Sequence, residues 1–436
     1  MPAKHSARAI ALAALCRSEK EGESMERCLN RSDSLLSDPR DRAFSRQLVY
    51  GVLENRRLLD TLLDDASKFP MKKQKLRVRN LLRMGAYELF FLHTPSHAAI
   101  NETVTLAHAA AKAQKNFINA VLRALWRKEE AIQLLLSDTS SLPPAVRYSL
   151  PDWMADYLAT CFAPASWESV LRLQNQPAPI SLFVAPSCDR DAVEEELATI
   201  LPHVRKGTLS EHCLLCDGGA ITETDAFQSG RISIQSQPGV RVAEIAVEGM
   251  EKPRILDLCA APGGKSVAMK LLAPGSSVVS NDAVPEKMRY LRENAARMQA
   301  HLELVTGDAR QERQEWRGAF DVVLVDAPCS GLGLLGRKPD IRWNRQPADL
   351  PALQTLQKEI LHTAAHYVKP GGRLVYSTCT YGAMENEDVI ASLSDAWSAE
   401  AIGDKDVCRY SPLDEQADGF FMARFRRRGK PVGRMV

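Results

Sequence analysis

Six residues of this 436-residue chain have types and positions suited to chemistry. Asp257, Asp282, Asp308 and Asp326 each close an apolar run that reads as a strand. Cys329 and Cys379 follow two such runs, in VDAPC and YSTC. Parallel strands present their ligand-binding residues at their carboxyl ends. The spacing therefore predicts four acids and two cysteines on one rim.

The turn after the first of these strands reads DLCAAPGGKS, Asp257 to Ser266. Gly263 and Gly264 let the backbone approach a ligand and open the next helix, whose first N–H groups and dipole favour an anion or acceptor. Three ligands compete for it. A dinucleotide site wants G-x-G-x-x-G, which is absent. A P-loop wants G-x-x-x-x-G-K-[ST]; Gly264-Lys265-Ser266 matches its end, and DVVLVD, ending at Asp326, resembles a magnesium-binding strand. But Cys259 stands where the first glycine belongs, and Pro262 removes an N–H from the phosphate cradle. The third ligand is S-adenosylmethionine, with Asp282 accepting both ribose hydroxyls, Asp308 meeting the adenine amino group, and the short turn facing the methionine end. Helix capping or solvation accounts for any one of these acids, but not for one at each of three successive strands.

The elements that must carry these residues begin at Arg254. RILDLCA, SSVVSND, LELVTGD, FDVVLVDAPC and GGRLVYSTC read as strands, separated by GGKSVAMKLLA, PEKMRYLRENAARMQA and a long helix, ADLPALQTLQKEILHTAAHYV. Apolar strands alternating with helices imply a parallel sheet covered on both faces. Upstream, residues 1–135 read as a helical bundle. Leu48, Val52, Leu59, Leu62 and Leu63 recur at helical spacing, as do Val78, Leu81, Leu82 and Leu89, and then Phe117, Val121, Leu122 and Leu125. The N-terminal stretch reads as a first helix rather than a signal peptide. Residues 136–151, rich in Ser and Pro, read as a linker, and 152–235 as a small α+β subdomain. The domain of interest spans 236–436.

The net charge of +2 hides an asymmetry: residues 1–130 hold 23 Lys/Arg against 15 Asp/Glu. A basic first domain suggests a polyanion partner, and Arg77, Arg79 and Arg83 fall on the polar side of their helix beside Lys72, Lys73 and Lys75. Ten scattered cysteines with no framework spacing suit a reducing cytoplasm. The single C-x-x-C, Cys213 to Cys216, lacks a second ligand pair and reads as a surface turn. No apolar run is long enough to span a membrane.

Four longer motifs stand in order: DLCAAPGGK, DAPCSGLGLLGRKPDIRW, STCT followed by ENE (Glu385–Glu387), and DGFFMARF. Together they resemble the RNA 5-methylcytosine methyltransferases. SDPRDRAFSRQLVYGVL, PSHAAINETV and NFINAVLR resemble the NusB-type helical RNA-binding domain, and the combination is similar to the small-subunit ribosomal RNA branch of that family. The resemblance implies an all-α NusB-like bundle, a small α+β subdomain and an α/β Rossmann-like methyltransferase domain, acting as a monomer on ribosomal RNA in the cytoplasm. It places Cys259, Ala260, Ala261, Pro262, Gly263, Gly264 and Lys265 against S-adenosylmethionine, Asp282 on its ribose, Asp308 near adenine, and Asp326 between cofactor and base. The family usually has an acid where this chain has Ser236.

Carbon 5 of cytosine is a poor nucleophile. A thiolate added at carbon 6 makes the ring an enamine, and carbon 5 can then take a methyl group from a sulfonium, with no metal required. Cys329 and Cys379 both stand where that nucleophile belongs. DNA cytosine methyltransferases attack with the cysteine of a Pro-Cys pair, which points to Cys329. The resemblance implies instead that Cys379 attacks and Cys329 assists product release. Asp326 is the expected proton donor to the ring, since a carboxyl in a dry pocket holds its proton. Lys265 could contact the base, the cofactor or Asp326. Arg337, Lys338 and Arg342, near Trp343, suit phosphate contact and stacking. Amine methyltransferases carry an N-P-P-Y-like motif where this chain has DAPC, which favours carbon methylation. The alternatives are a 5-methylcytosine enzyme acting on transfer RNA or another RNA, an NTPase, and an RNA-binding assembly factor with a vestigial catalytic half.

Overall fold

A computed structural model describes residues 6–92, 94–164, 166–414 and 417–429. The chain divides into two compact units: residues 1–175 with 335–347, and 176–334 with 348–436.

The first unit is helical: α1 (Ala7–Glu21), α2 (Met25–Asp33), α3 (Pro39–Ala66), α4 (Leu76–Phe90), α5 (Ser96–Ala110), α6 (Lys115–Trp126), α7 (Glu129–Ser137), α8 (Pro144–Arg147), α9 (Asp152–Cys161) and α10 (Trp167–Gln174). The expected apolar positions Leu48, Leu59, Leu81, Leu82, Leu122 and Leu125 are its core. Burying each of these leucines contributes roughly 1.5–3 kcal/mol. Asp38 caps α3, accepting from Arg40 N at 2.8 Å, with Pro39 in the first turn.

Three expectations about this unit need correction. The stretch 136–151 is folded against the bundle rather than a free linker: Ala145, Val146, Tyr148 and Leu150 are buried, and Arg57 donates to Ser149 Oγ (2.9 Å) and Leu150 O (2.9 Å). Residues 152–174 extend the same bundle, so the small sheet does not begin at 152. Arg83 is 2% exposed, donating to Asp60 (2.7 and 2.8 Å) and Glu19 (3.0 Å), and Arg79 donates to Glu19 at 2.6 Å. Lys72, Lys73, Lys75 and Arg77 remain on the exposed surface.

The second unit holds two sheets. The smaller is antiparallel, order β2-β3-β1-β4, from β1 (Ile180–Val184), β2 (Arg205–Lys206), β3 (Cys213–Cys216) and β4 (Ile232–Ile234), with α11 (Arg190–Ala198) and α12 (Asp225–Gln228). Cys213 and Cys216 lie in a buried strand, not in a surface turn, because β3 pairs with both neighbours. After α13 (Gln237–Val247) comes the large sheet: β5 (Arg254–Asp257), β6 (Ser277–Asp282), β7 (Glu303–Thr306), β8 (Phe320–Asp326), β9 (Val368–Thr378), β10 (Trp397–Ala399), β11 (Val407–Tyr410) and β12 (Phe420–Arg427). Its order is β10-β12-β9-β8-β5-β6-β7 with β11 on β12. Strands β5 to β9 are parallel, as expected, whereas β12, from DGFFMARF, runs antiparallel beside β9.

Along β8, Val322 and Leu324 join one core with Val240, Val267 and Ala268, while Val323 and Val325 join another with Ile360, Leu361 and Ala364. This is the two-residue alternation of a strand buried on both faces. The covering helices include α14 (Gly264–Leu272) and α15 (Pro285–Arg297); α16 (Ile341–Asn344) belongs to the helical unit, and α17 (Asp349–Tyr367) and α18 (Glu387–Ile390) follow. No helix among the described residues is long and apolar enough to cross a membrane.

Candidate active site

The strand order reverses between β5 and β8, where α/β sheets open a crevice. The turn after β5 and the end of β8 meet there. Lys265 Nζ, in the first turn of α14, lies 2.7 Å from Asp326 Oδ2, and Ser377 Oγ of β9 donates to Asp326 Oδ1 at 2.8 Å. Asp326 therefore accepts on both oxygens. Burial opposes the Lys265 charge, but Asp326 outweighs it and the ammonium pKa is raised. The ammonium also lies 5.4 Å from the Phe420 ring.

Asp257 faces inward. It is 1% exposed, accepts from Ser266 Oγ at 2.6 Å, and burial pushes its pKa up to about 7. It secures the start of α14 rather than lining the rim. Gly263 precedes that helix with φ +106°, and a Cβ there would lie 2.5 Å from Leu291. Only glycine suits both conditions. Asp282 closes β6 and holds the turn, accepting from Ala261 N (3.0 Å) and Val284 N (2.9 Å). Asn281 Nδ2 donates to Leu258 O and Gly307 O, both at 3.0 Å, so β6 ties together the loops on either side of it. Cys259 is half-buried, its thiol pKa pushed well up by burial. Ala260 N donates to Asn281 O at 2.8 Å, and Pro262 is exposed. Asp308 is paired with the Arg310 guanidinium (2.7–3.1 Å), which lowers its carboxyl pKa.

The two cysteines converge. Cys329 Sγ and Cys379 Sγ are 3.1 Å apart, though fifty positions separate them in the chain. The hydrogen bond to Cys379, then burial, push the Cys329 thiol pKa well up. Either sulfur can donate to the other across this contact. Gly333 N donates to Cys379 O at 3.0 Å, and Gly419 N donates to Gly333 O at 2.9 Å. A Cβ on Gly333 would sit 2.2 Å from Gly419 O, so two backbones approach where DGFFMARF begins.

Two sequence expectations do not hold here. Arg342 and Trp343 lie in the helical unit. Arg342 is 1% exposed and donates to Glu54 O and Tyr148 O (3.1 Å each) and to Asn175 Oδ1 (2.5 Å). Its charge is satisfied by peptide carbonyls rather than phosphate, and burial lowers its pKa to about 10. Trp343 Nε1 donates to Leu53 O at 2.8 Å, with Arg56 over its ring at 4.7 Å. Of that trio only Lys338 is exposed. Ser236, in place of an acid, caps α13 by accepting from Gly239 N at 3.3 Å. Sequence reasoning gave Ser266, Ser377 and Asn281 no role of their own, because the groups they hold lie elsewhere in the chain.

The residues fit S-adenosylmethionine. The glycine turn admits no side chain on Gly263, and a Cβ on Gly264 would come within 3.1 Å of Gln235 Oε1. Both amide atoms of Gln235 are buried there and make no hydrogen bond with the protein, leaving a donor and an acceptor at the start of α14. Asp282 retains lone pairs on both oxygens beside two backbone donors, as a ribose diol requires.

Residues 244–426 match the family described as 16S rRNA methyltransferase RsmB/F, and residues 5–127 match the NusB family. The chain is 35% identical over 408 residues to the probable ribosomal RNA small subunit methyltransferase B of Bacillus subtilis (strain 168), covering 89% of this chain and 88% of that one. It is 32% identical over 431 residues to ribosomal RNA small subunit methyltransferase B of Vibrio cholerae serotype O1, covering 95% and 96%. The crystal structure of PH0851 superposes with a TM-score of 0.73 at 21% identity, covering 96% of this chain and 98% of that chain, a likeness of fold.

Proposed function

Because the chain belongs to the ribosomal RNA small subunit methyltransferase B family, we propose that it methylates carbon 5 of a cytosine in 16S ribosomal RNA, with Cys379 as the nucleophile. Family membership makes it a methyltransferase that uses S-adenosylmethionine. The observation that carries the finer reading is the pair of sulfurs 3.1 Å apart at adjacent strand ends, near the Lys265–Asp326 ion pair.

Cys259 to Lys265 and Asp282 would hold the cofactor, with Gln235 at its methionine end; Asp308 would meet adenine by sharing its carboxylate with Arg310. When bound, S-adenosylmethionine supplies an electrophilic methyl group on a sulfonium. Cys379, its thiol proton given up to solvent, bonds as a thiolate to carbon 6 of a base flipped into the crevice. Electron density then gathers on the ring, and a proton reaches the ring nitrogen from Lys265 by way of Asp326. Lys265, 2.7 Å from Asp326, is the store that replaces this proton. For release, carbon 5, which by then would carry the transferred methyl group beside its original hydrogen, gives that proton to water, and that bond's electrons restore the ring double bond. The Cys379 sulfur leaves with the electrons of the sulfur–carbon 6 bond, and the Cys329 S–H stabilises the departing thiolate. The exposed Lys72, Lys73, Lys75 and Arg77 would meet RNA phosphates, and a ribosomal RNA substrate places the protein in the cytoplasm.

Bisulfite sequencing of 16S ribosomal RNA from a strain lacking this protein, with and without its gene restored, tests the reading. One cytosine should lose its protection in the deletion and regain it on restoration. An unchanged pattern, with methylation at another ring position by mass spectrometry, would overturn it.

A further inference from the structure

Neither sulfur is placed by its own strand alone. Cys329 is the middle residue of Pro328-Cys329-Ser330, and both flanking peptide groups are held. Gln357 Nε2, from α17, donates to Pro328 O at 2.9 Å; Ser330 N donates to Glu385 Oε1 at 2.7 Å. The same Gln357 nitrogen donates to that same Glu385 oxygen at 3.0 Å. Cys379 is the middle residue of Thr378-Cys379-Thr380, and it too is held on both sides. Thr378 Oγ1 donates to Asn386 Oδ1 at 2.5 Å, and Asn386 Nδ2 donates to Thr380 O at 3.2 Å. Ser330 Oγ and Thr380 Oγ1 join the two turns at 2.8 Å, and Tyr376 OH anchors the Glu385 carbonyl at 2.7 Å.

Glu385, Asn386 and Gln357 are each at most 1% exposed. Burying three such polar side chains is costly unless their bonds are needed. Glu385 Oε2 makes no hydrogen bond, so the carboxyl serves through Oε1 alone. One dipeptide, Glu385-Asn386, therefore grips both cysteine turns, one residue to each.

Resting on the covalent reading above, we propose that Glu385, Gln357 and Asn386 are positioning residues that fix the separation of the two sulfurs. The Glu385–Gln357 half serves release through Cys329, and the Asn386 half serves attack through Cys379. A shift of about 1 Å in a reacting group can cost about 10²-fold in rate, which sets the scale expected.

The test follows the protein–RNA adduct on denaturing gels, using the full chain, S-adenosylmethionine and end-labelled 16S ribosomal RNA transcript, with Cys329→Ala as the reference that traps adduct. Gln357→Met and Glu385→Ala should form adduct at near the wild-type rate yet release it at least about 10-fold more slowly. Asn386→Ala should slow formation by a similar factor without accumulation. Glu385→Gln, which keeps the accepting oxygen, should recover release relative to Glu385→Ala. If Glu385→Ala fails to fold, Gln357→Met, which nearly conserves volume, decides alone. Equal loss of formation and release in these variants, or no accumulation where Cys329→Ala accumulates, overturns the proposal. An absence of adduct in Cys329→Ala itself overturns instead the covalent reading on which it rests.

Discussion

Replacing Asp257 with Asn should remove a pH dependence from the stability of the sheet unit. Asp257 is 1% exposed, with one oxygen bonded to Ser266 Oγ at 2.6 Å and the other making no hydrogen bond. Burial pushes its pKa up to about 7, against about 3.9 in the unfolded chain. The folded state thus keeps a proton that the unfolded state gives up. That contribution is complete below the unfolded pKa and is lost as the pH rises through about 7. The gap of about three between the folded and unfolded pKa values, at about 1.4 kcal/mol for each tenfold, sets a ceiling near 4 kcal/mol, of which roughly 2–3 kcal/mol is lost between about pH 5 and pH 8. Asn keeps an acceptor for Ser266 and carries no titrating proton. Urea unfolding at half-unit pH steps, followed by circular dichroism, should show wild type losing this amount relative to Asp257→Asn. Curves that run parallel across the range would refute a protonated Asp257 at neutral pH.

Gly333→Ala would place a Cβ 2.2 Å from Gly419 O, opening a contact that holds Cys379; it should cost about 1–3 kcal/mol, seen as a lowered melting temperature with activity falling further than stability explains. Lys265→Met removes the ammonium 2.7 Å from Asp326 and should lower kcat by about 10²-fold or more, with the protein still folded by circular dichroism. Neutralising Lys72, Lys73, Lys75 and Arg77 together should reduce the slope of log affinity against log salt by about 3 in a filter-binding titration with ribosomal RNA, whereas a slope left unchanged removes these residues from the RNA surface.

The rim was legible because strand ends in a parallel sheet must share one edge, and Asp282, Asp326, Cys329 and Cys379 all close apolar runs. The bundle core was legible because Leu48, Leu59, Leu81 and Leu122 repeat at helical spacing. What escaped depends on partners far away in the chain. Arg342 reads as a phosphate ligand until its acceptors are known, and one of them, Glu54 O, lies 288 positions away. Arg83 likewise reads as surface charge, but Asp60 and Glu19 make its burial tolerable. The antiparallel direction of β12 is fixed by its pairing with β9, which local periodicity does not encode. Asp257 and Asp282 look alike in sequence; only the position of Ser266 against one and of the Ala261 N–H against the other separates a structural acid from a rim acid.

The most direct measurement of the covalent mechanism is a denaturing gel of Cys329→Ala and Cys379→Ala, each incubated with S-adenosylmethionine and labelled 16S ribosomal RNA. The proposed roles of the two cysteines predict an RNA-linked protein band for Cys329→Ala, confirmed as a cysteine–carbon 6 adduct by mass spectrometry, and none for Cys379→Ala. A band from Cys379→Ala and none from Cys329→Ala would contradict it and exchange the roles of the two cysteines.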